Sequence, residues 1–215
     1  MKNVFFYPYI GKNYETKGFN GVKLLILGES HYCEHFKECE VCGKQSNNKC
    51  KEPNFTKDVL KRYLNYKKGD DEFEDWMRTF TRFTNVLLEE QLDNETLINF
   101  WDSVIFYNYV QSSTEGPRKA LPNQQFEESK DAFIEVLEEY KPDLILVWGQ
   151  RLWDKLDNGR VGKEIIIDDK NGNFYYYKIS NKEIPAYSIY HPSSSCFSYE
   201  YSKYLKEAIR LVSKT

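Results

Sequence analysis

The chain has 215 residues, which suits a single domain, and its 40% hydrophobic and 29% charged residues are ordinary for a globular protein. The formal net charge of -3 gives no global basic field, so any contact with nucleic acid must use a local patch. No run of about 18 apolar residues is present, and the apolar start over residues 1–8 is too short for a signal peptide. We therefore expect no membrane span and a cytoplasmic location.

The first half of the chain alternates strand-like and helix-like segments. The apolar run 22–27 ends at Gly28 and predicts a buried parallel strand. Helical spacing of apolar residues follows over about 56–66, with Thr56 suited to cap the helix, and again over about 74–91. The run 103–109 predicts a second buried strand.

The second half continues this alternation. Its clearest helical pattern covers residues 123–140 and is ended by Pro142. The other predicted elements are strands at 143–148 and 185–190, helices at about 150–157 and 199–213, and a hairpin of segments 164–168 and 174–179. The whole pattern predicts one α/β domain over residues 1–215, a three-layer α/β/α sandwich with a central, mostly parallel four-stranded sheet.

Ligands of such sheets bind beyond the carboxyl ends of the strands. Glu29, Asn108 and His191 lie at three of these ends. A carboxylate can act as a base or stabilise a cation, an amide can read the edge of a base, and an imidazole can donate to a developing anion. Each also has a structural alternative, as a solvated loop carboxylate, a strand-end amide bonded to backbone groups, or an ordinary histidine before proline.

Four motifs resemble those of the uracil-DNA glycosylase superfamily. Residues 24–30, a strand running into Gly-Glu-Ser, resemble the first motif, and residues 105–110 resemble the second strand with its Asn. Residues 118–149 follow the thermostable iron–sulfur branch, and residues 184–193, a strand running into His-Pro-Ser, resemble the last motif. The order and spacing of these motifs agree over about residues 22–212.

The resemblance implies a DNA glycosylase that flips a nucleotide from the stack and hydrolyses the N-glycosidic bond of uracil or a related damaged base. By position, Glu29 and His191 would be catalytic, with His191 bonding the base oxygen as negative charge builds there. DNA with a flipped base is the implied partner. Two further sets of residues match: the substrate-binding set is Gly28, Ser30, Tyr32, Phe55, Asn108 and Ser193, and the DNA-contacting loop contains Ser194, Ser195 and Phe197.

Phe55 resembles the ring on which the base stacks, and Phe197 resembles a wedge that enters DNA; plain packing is the alternative for both. The chain departs from the family at several positions. His31 replaces the usual Pro, Ser194 replaces a second Pro, and the cysteine that follows the strand-two Asn in the iron–sulfur branch is missing.

Four of the five cysteines form a cluster in an apparent insertion at residues 33–50. Cys33, Cys39, Cys42 and Cys50 have the spacing C-x5-C-x2-C-x7-C, which is typical of a structural zinc site in a polar segment without its own core. Reduced thiols and an iron–sulfur cluster are the alternatives, and His31 or His35 could replace one cysteine ligand.

Two other functions remain open from the sequence. The acidic pI of 5.8 and the altered motifs favour a superfamily member without catalysis that binds a nucleotide, a nucleic acid or a protein. A hydrolase of a small nucleoside or nucleotide also fits, because a small substrate needs no long phosphate track.

Overall fold

The computed structural model describes residues 1–32, 50, 52–114, 116, 121–156 and 174–213, which form an α/β fold. The strands are β1 (Tyr9–Ile10), β2 (Leu24–Gly28), β3 (His31–Tyr32), β4 (Ile105–Asn108), β5 (Ser113–Thr114), β6 (Leu144–Trp148), β7 (Phe174–Ile179) and β8 (Lys182–Ile189). The helices are α1 (Phe55–Lys68), α2 (Met77–Leu88), α3 (Asn94–Trp101), α4 (Asn123–Tyr140), α5 (Gln150–Lys155) and α6 (Ser202–Val212). The described helices are too short or too polar to span a bilayer.

The main sheet has the strand order β1-β4-β2-β6-β8-β7. Its four inner strands pair in parallel and are the four strands expected from the sequence, whereas β1 and β7 pair antiparallel at the edges. The sheet therefore has six strands rather than four. The sequence did not indicate β1, because its two residues are too few to show a periodic pattern. β7 was expected as one arm of a hairpin, but it pairs with β8 and so joins the main sheet. The other arm of the expected hairpin, residues 164–168, lies outside the described residues.

Helices cover both faces of the sheet because the inner strands are apolar on both sides. In β2, Leu24 and Ile26 pack with α1, α2 and α6 in one core cluster. Leu25 and Leu27 face the other way, into a second cluster with α4 and α5. This alternation follows from the two-residue period of a strand.

One helix, α3, was not expected from the sequence. Asp93 begins it by accepting a hydrogen bond from the backbone N–H of Thr96 at 2.7 Å. The helix has only 8 residues, and its buried side chains are rich in aromatic residues, so its helical periodicity is hard to recognise. Its Trp101 packs in the core beneath β4.

Candidate functional site at the carboxyl end of the sheet

Backbone pairing continues past the ends of β2 and β4 and aligns the segments that follow them. Gly28 lies opposite Asn108, and the carbonyls of Gly28 and Glu29 accept hydrogen bonds from Tyr109 at 2.9 Å and Val110 at 2.8 Å. These bonds bring the segments after the two strands together, as the rule for parallel sheets predicts.

The first part of the site is a ring slot formed by Phe55, Thr56 and Asn108, and the side chain of His31 fills it. The imidazole stacks on Phe55, with ring centroids 4.5 Å apart and an interplanar angle of 14°. Its Nε2 lies 2.7 Å from Oγ1 of Thr56, and Nδ2 of Asn108 lies 3.0 Å from Nδ1 and 3.2 Å from Nε2. With the amide donating to Nδ1, the Nε2 proton is directed to Thr56, so both ring nitrogens are satisfied.

The slot is closed to solvent. His31 is 4% exposed, and Phe6 lies edge-on to its ring at a centroid distance of 5.0 Å. Burial lowers the pKa of His31 from 6.5 to about 3, because a charged ring would lose its hydration. The imidazole is therefore neutral at physiological pH.

Asn108 owes its position to Gly28. A Cβ atom at position 28 would lie 2.2 Å from Oδ1 of Asn108 and 3.2 Å from the ring of Phe106. The glycine thus leaves the space in which the buried amide can turn toward His31. This explains in physical terms why a glycine ends β2.

The Gln111 side chain holds together the backbone segments that surround the slot. Its Oε1 accepts from the backbone N–H groups of Phe5 and Phe6, both at 2.9 Å. Its Nε2 donates to the carbonyls of Asn108 and Tyr109 at 3.1 and 3.2 Å. One side chain therefore ties the segment that carries Phe6 to the end of β4.

The second part of the site, the open edge, contains Glu29, Arg151, His191 and Ser193. The Glu29 side chain is 12% exposed and forms a two-pronged ion pair with Arg151. Nε of Arg151 lies 2.7 Å from Oε2, and Nη2 contacts Oε1. A bidentate guanidinium fixes the orientation of the carboxylate as well as balancing its charge. Arg151 lies in the first turn of α5, directly after the end of β6.

His191 follows β8 at the same end of the sheet, and its Nδ1 is an acceptor. The Ser193 N–H, which can only donate, points to Nδ1 at 3.2 Å, and the Ser193 hydroxyl lies 2.8 Å away. The proton of the neutral ring therefore lies on Nε2. No hydrogen bond joins Nε2 to any residue that the structure describes.

Two effects lower the pKa of His191: first desolvation by the surrounding chain, including the edge-on Trp148 ring at 5.9 Å, and then the positive charge of Arg151. His191 is an exposed residue, whereas His31 is enclosed, so the pKa of His191 is lowered less than that of His31. The neutral form, with a proton on Nε2, is the form present near pH 7.

The loop after His191 is a tight turn. The Ser194 N–H donates to the His191 carbonyl at 2.8 Å, and the Phe197 N–H donates to the Ser194 carbonyl at 3.1 Å. Ser193 and Ser195 are exposed and Ser194 is half-buried. Phe197, expected as a contact to DNA, is 0% exposed and stacks against Phe83 at 6.4 Å. Its position corresponds to the packing alternative, because the ring would have to leave the core to reach DNA.

The remaining substrate-binding candidates lie beside the slot. Ser30 is half-buried between β2 and β3. Tyr32, also half-buried, lies opposite Thr114 in a short parallel pairing of β3 with β5. Phe55 begins α1.

Of the four clustered cysteines, only Cys50 is within the described residues. Cys33, Cys39 and Cys42 lie outside them. Cys50 is buried beside Phe6, its N–H donates to Oγ of Ser113 at 3.2 Å, and its Sγ accepts from the Glu52 N–H at 3.4 Å. The described part of the chain contains no group of three or more potential metal ligands, and the zinc prediction stays a prediction.

Two residues of the site were not identified by sequence reasoning. Arg151 could have been identified from its position, because it comes two residues after the strand-ending Gly149 and must therefore lie near the other strand ends. His31 was noted as a departure and as a substitute metal ligand, and nothing in the sequence indicated that its ring would stack on Phe55. Comparison with known proteins adds nothing to this geometry: no protein-family model and no curated protein matches the chain.

Proposed function

We propose that the chain is a uracil-DNA glycosylase-like hydrolase that breaks the N-glycosidic bond of uracil or a related damaged base in DNA. One observation carries the proposal: the neutral His191 ring presents an Nε2 proton with no partner among the described residues, on the open edge that also holds Glu29. A donor held in this way suits a base oxygen that gains negative charge as the bond breaks.

Glu29 supplies the opposite charge in this proposal. Its carboxylate, oriented by Arg151, stabilises the positively charged, oxocarbenium-like sugar or orients the attacking water. The motif order of the sequence supports these roles.

The ring slot would receive the base. Phe55 offers a stacking face, and the buried Asn108 amide offers both a donor and an acceptor for the base edge. The His31 ring now occupies the stacking face of Phe55 and the Nδ2 donor of Asn108, so the base can enter only when the imidazole leaves. If the base replaces the imidazole, a ring of similar shape, it keeps the stack on Phe55 and the hydrogen bond to Asn108.

A specific observation favours a second candidate, a superfamily member without catalysis that binds a nucleotide, a nucleic acid or a protein. The His31 imidazole already satisfies Phe55, Thr56 and Asn108, as a permanent part of a core would. In that case His31 never leaves the slot, and only the open edge binds the partner.

Base release from end-labelled oligonucleotides tests the first proposal. Single- and double-stranded substrates carry one uracil, hypoxanthine or oxidised base, and alkali-labile abasic sites are counted. Loss of one transition-state donor costs about 100- to 1,000-fold, so we expect His191→Ala to lower the rate at least 100-fold. Glu29→Gln, which keeps the shape of the side chain, should have a similar effect.

Glu183→Gln is the matched control for Glu29→Gln, since Glu183 is exposed near the start of β8, at the opposite end of the sheet from His191, and the variant is expected to keep full activity. Free deoxyuridine and its 5′-monophosphate, run beside the oligonucleotides, test the small-substrate hydrolase. If the folded wild type releases no base from any substrate, the glycosylase proposal is wrong. Binding of an oligonucleotide without release would instead support the second candidate.

Zinc is proposed for the cysteine cluster, with Cys33, Cys39, Cys42 and Cys50 as ligands. An N–H bonded to sulfur, as between Glu52 and Cys50, also stabilises a metal-bound thiolate. Metal analysis of the purified chain should find one zinc per chain, and Cys42→Ser should reduce it. A wild-type chain purified without zinc, or with iron in its place, would contradict this proposal.

A further inference from the structure

A separate recess, the α1–α2 cleft, lies between the end of α1, the exposed side of α2 and the loop after Phe197. It encloses about 430 Å³, within the range of about 300–1,000 Å³ found for small-molecule sites. None of the proposed catalytic residues lines it. The lining combines three cations with four aromatic residues: Lys67, Arg78, Arg82, Tyr66, Phe73, Phe197 and Tyr199.

The lining of the cleft carries three cations although the chain as a whole has a net charge of -3. Its lining includes no Asp or Glu. Lys67 and Arg82 are half-buried, and neither forms an ion pair with a carboxylate in the described part of the chain. Arg78 pairs with Asp75 at 3.3 Å, but both side chains are highly exposed, so this pair is weak.

The rings of the cleft are exposed beside these charges. Tyr199 is 53% exposed and Phe73 is 43% exposed. Arg78 lies 5.2 Å from the centre of the Phe73 ring, and Lys67 lies 4.9 Å from that of Tyr66. Tyr199 stacks on no other ring within the described residues, so its face is available to a planar ligand.

Phosphate groups are bound by Arg and Lys, and nucleobases stack on exposed aromatic rings. We infer that the α1–α2 cleft binds a nucleoside phosphate, with its phosphate between Lys67 and Arg78 and its base on Tyr199. Arg82 forms the floor, because its guanidinium donates to the Phe197 carbonyl and is held in place. A free nucleotide and one nucleotide of a DNA strand offer the same chemistry.

Calorimetry with three small probes tests whether both halves of the ligand are needed. Thymidine 5′-monophosphate should bind at least tenfold more tightly than thymidine, which lacks the phosphate. The monophosphate should also bind more tightly than inorganic phosphate, which lacks the ring, by a similar factor. Equal binding of all three probes, or no binding of the monophosphate, would overturn the inference.

Two substitutions and their matched controls locate the site. Arg78→Ala and Tyr199→Ala should each weaken binding of the monophosphate at least fivefold. Arg210→Ala removes an arginine that pairs with an acidic residue three positions before it, as Arg78 does, and should leave binding unchanged. Tyr199→Phe keeps the ring and should also bind normally. If Arg78→Ala and Tyr199→Ala, both folded by circular dichroism, bind like the wild type, the cleft is not the site.

The test is independent of the proposed glycosylase. His191→Ala and Glu29→Gln, which should abolish base release, are expected to bind the monophosphate as the wild type does. Binding of a labelled oligothymidylate of ten nucleotides distinguishes a DNA strand from a free nucleotide as the ligand. If the strand binds and loses affinity in Arg78→Ala, the ligand is a DNA strand, and if only the monophosphate binds, it is a free nucleotide.

Discussion

The two described histidines at the carboxyl end of the sheet differ in how much of their hydrogen-bonding capacity the chain itself uses. His31 is enclosed, and Thr56 and Asn108 satisfy both of its nitrogens. His191 uses Nδ1 for the turn at Ser193 and leaves Nε2 without a partner in the described part of the chain. Both pKa values are lowered, so protonation does not distinguish them.

The difference separates two tasks. A buried ring with every polar atom satisfied stabilises the fold, whereas an accessible donor held in one orientation is available to a ligand. The open edge therefore keeps a donor available to a ligand, and the ring slot is filled by the chain itself. Four predictions test this contrast.

The largest effect is expected from His31→Ala. The change removes the stack on Phe55 and leaves the buried Asn108 amide without its partner, so the free energy of unfolding should fall by about 3 kcal/mol. Added imidazole should fill the vacated slot and restore part of this loss, which urea unfolding with and without imidazole would measure.

His191→Ala is the control for the imidazole experiment. It removes a ring that is open to water, so imidazole should not restore any stability. If imidazole stabilises both variants equally, or neither, the contrast between a slot and an open edge is wrong.

The contacts inside the slot could not be predicted from the sequence. The four inner strands, their order along the chain and the convergence of Glu29, Asn108 and His191 follow from apolar runs and from the rule for parallel sheets. The His31 side chain contacts depend on χ angles and on space beside Gly28, which a sequence pattern does not encode. Phe197 shows the same limit, since its motif position left open whether the ring contacts DNA or packs in the core, and the ring packs on Phe83.

Gly28→Ala should have the next largest effect. The new Cβ atom would lie 2.2 Å from Oδ1 of Asn108, so the buried amide must move and break its contact with His31. Overpacking of this kind costs about 2 kcal/mol. Thermal unfolding would measure it, with Gly116→Ala as control because a Cβ there meets no atom of the described residues within 4 Å. Equal melting temperatures for the two variants would contradict the close packing of Gly28 and Asn108.

The pH dependence of stability tests the buried state of His31. Its folded pKa of about 3 lies below the unfolded value of 6.5, so the unfolded chain binds a proton first and stability falls as the pH drops below 6.5 toward 3. Between pH 7 and 5.5 the contribution of one such residue is about 1 kcal/mol. His31→Asn should lose less stability over this interval than the wild type. Parallel stability curves for the two proteins would show that His31 is not buried as a neutral ring.

Arg151→Ala should have the smallest effect on stability and the clearest effect on His191. The Arg151 side chain is half-exposed although Glu29 is only 12% exposed, so the free energy of unfolding should fall by about 1 kcal/mol. Loss of the positive charge should raise the pKa of His191, whereas Arg151→Lys should leave it low. NMR titration of the His191 ring protons would separate the two variants. The pKa of His31, which burial alone lowers, should stay unchanged in both. A shift of both histidines would mean that Arg151 supports the whole edge of the sheet, and a shift of His191 alone would mean that the slot and the open edge are electrostatically independent.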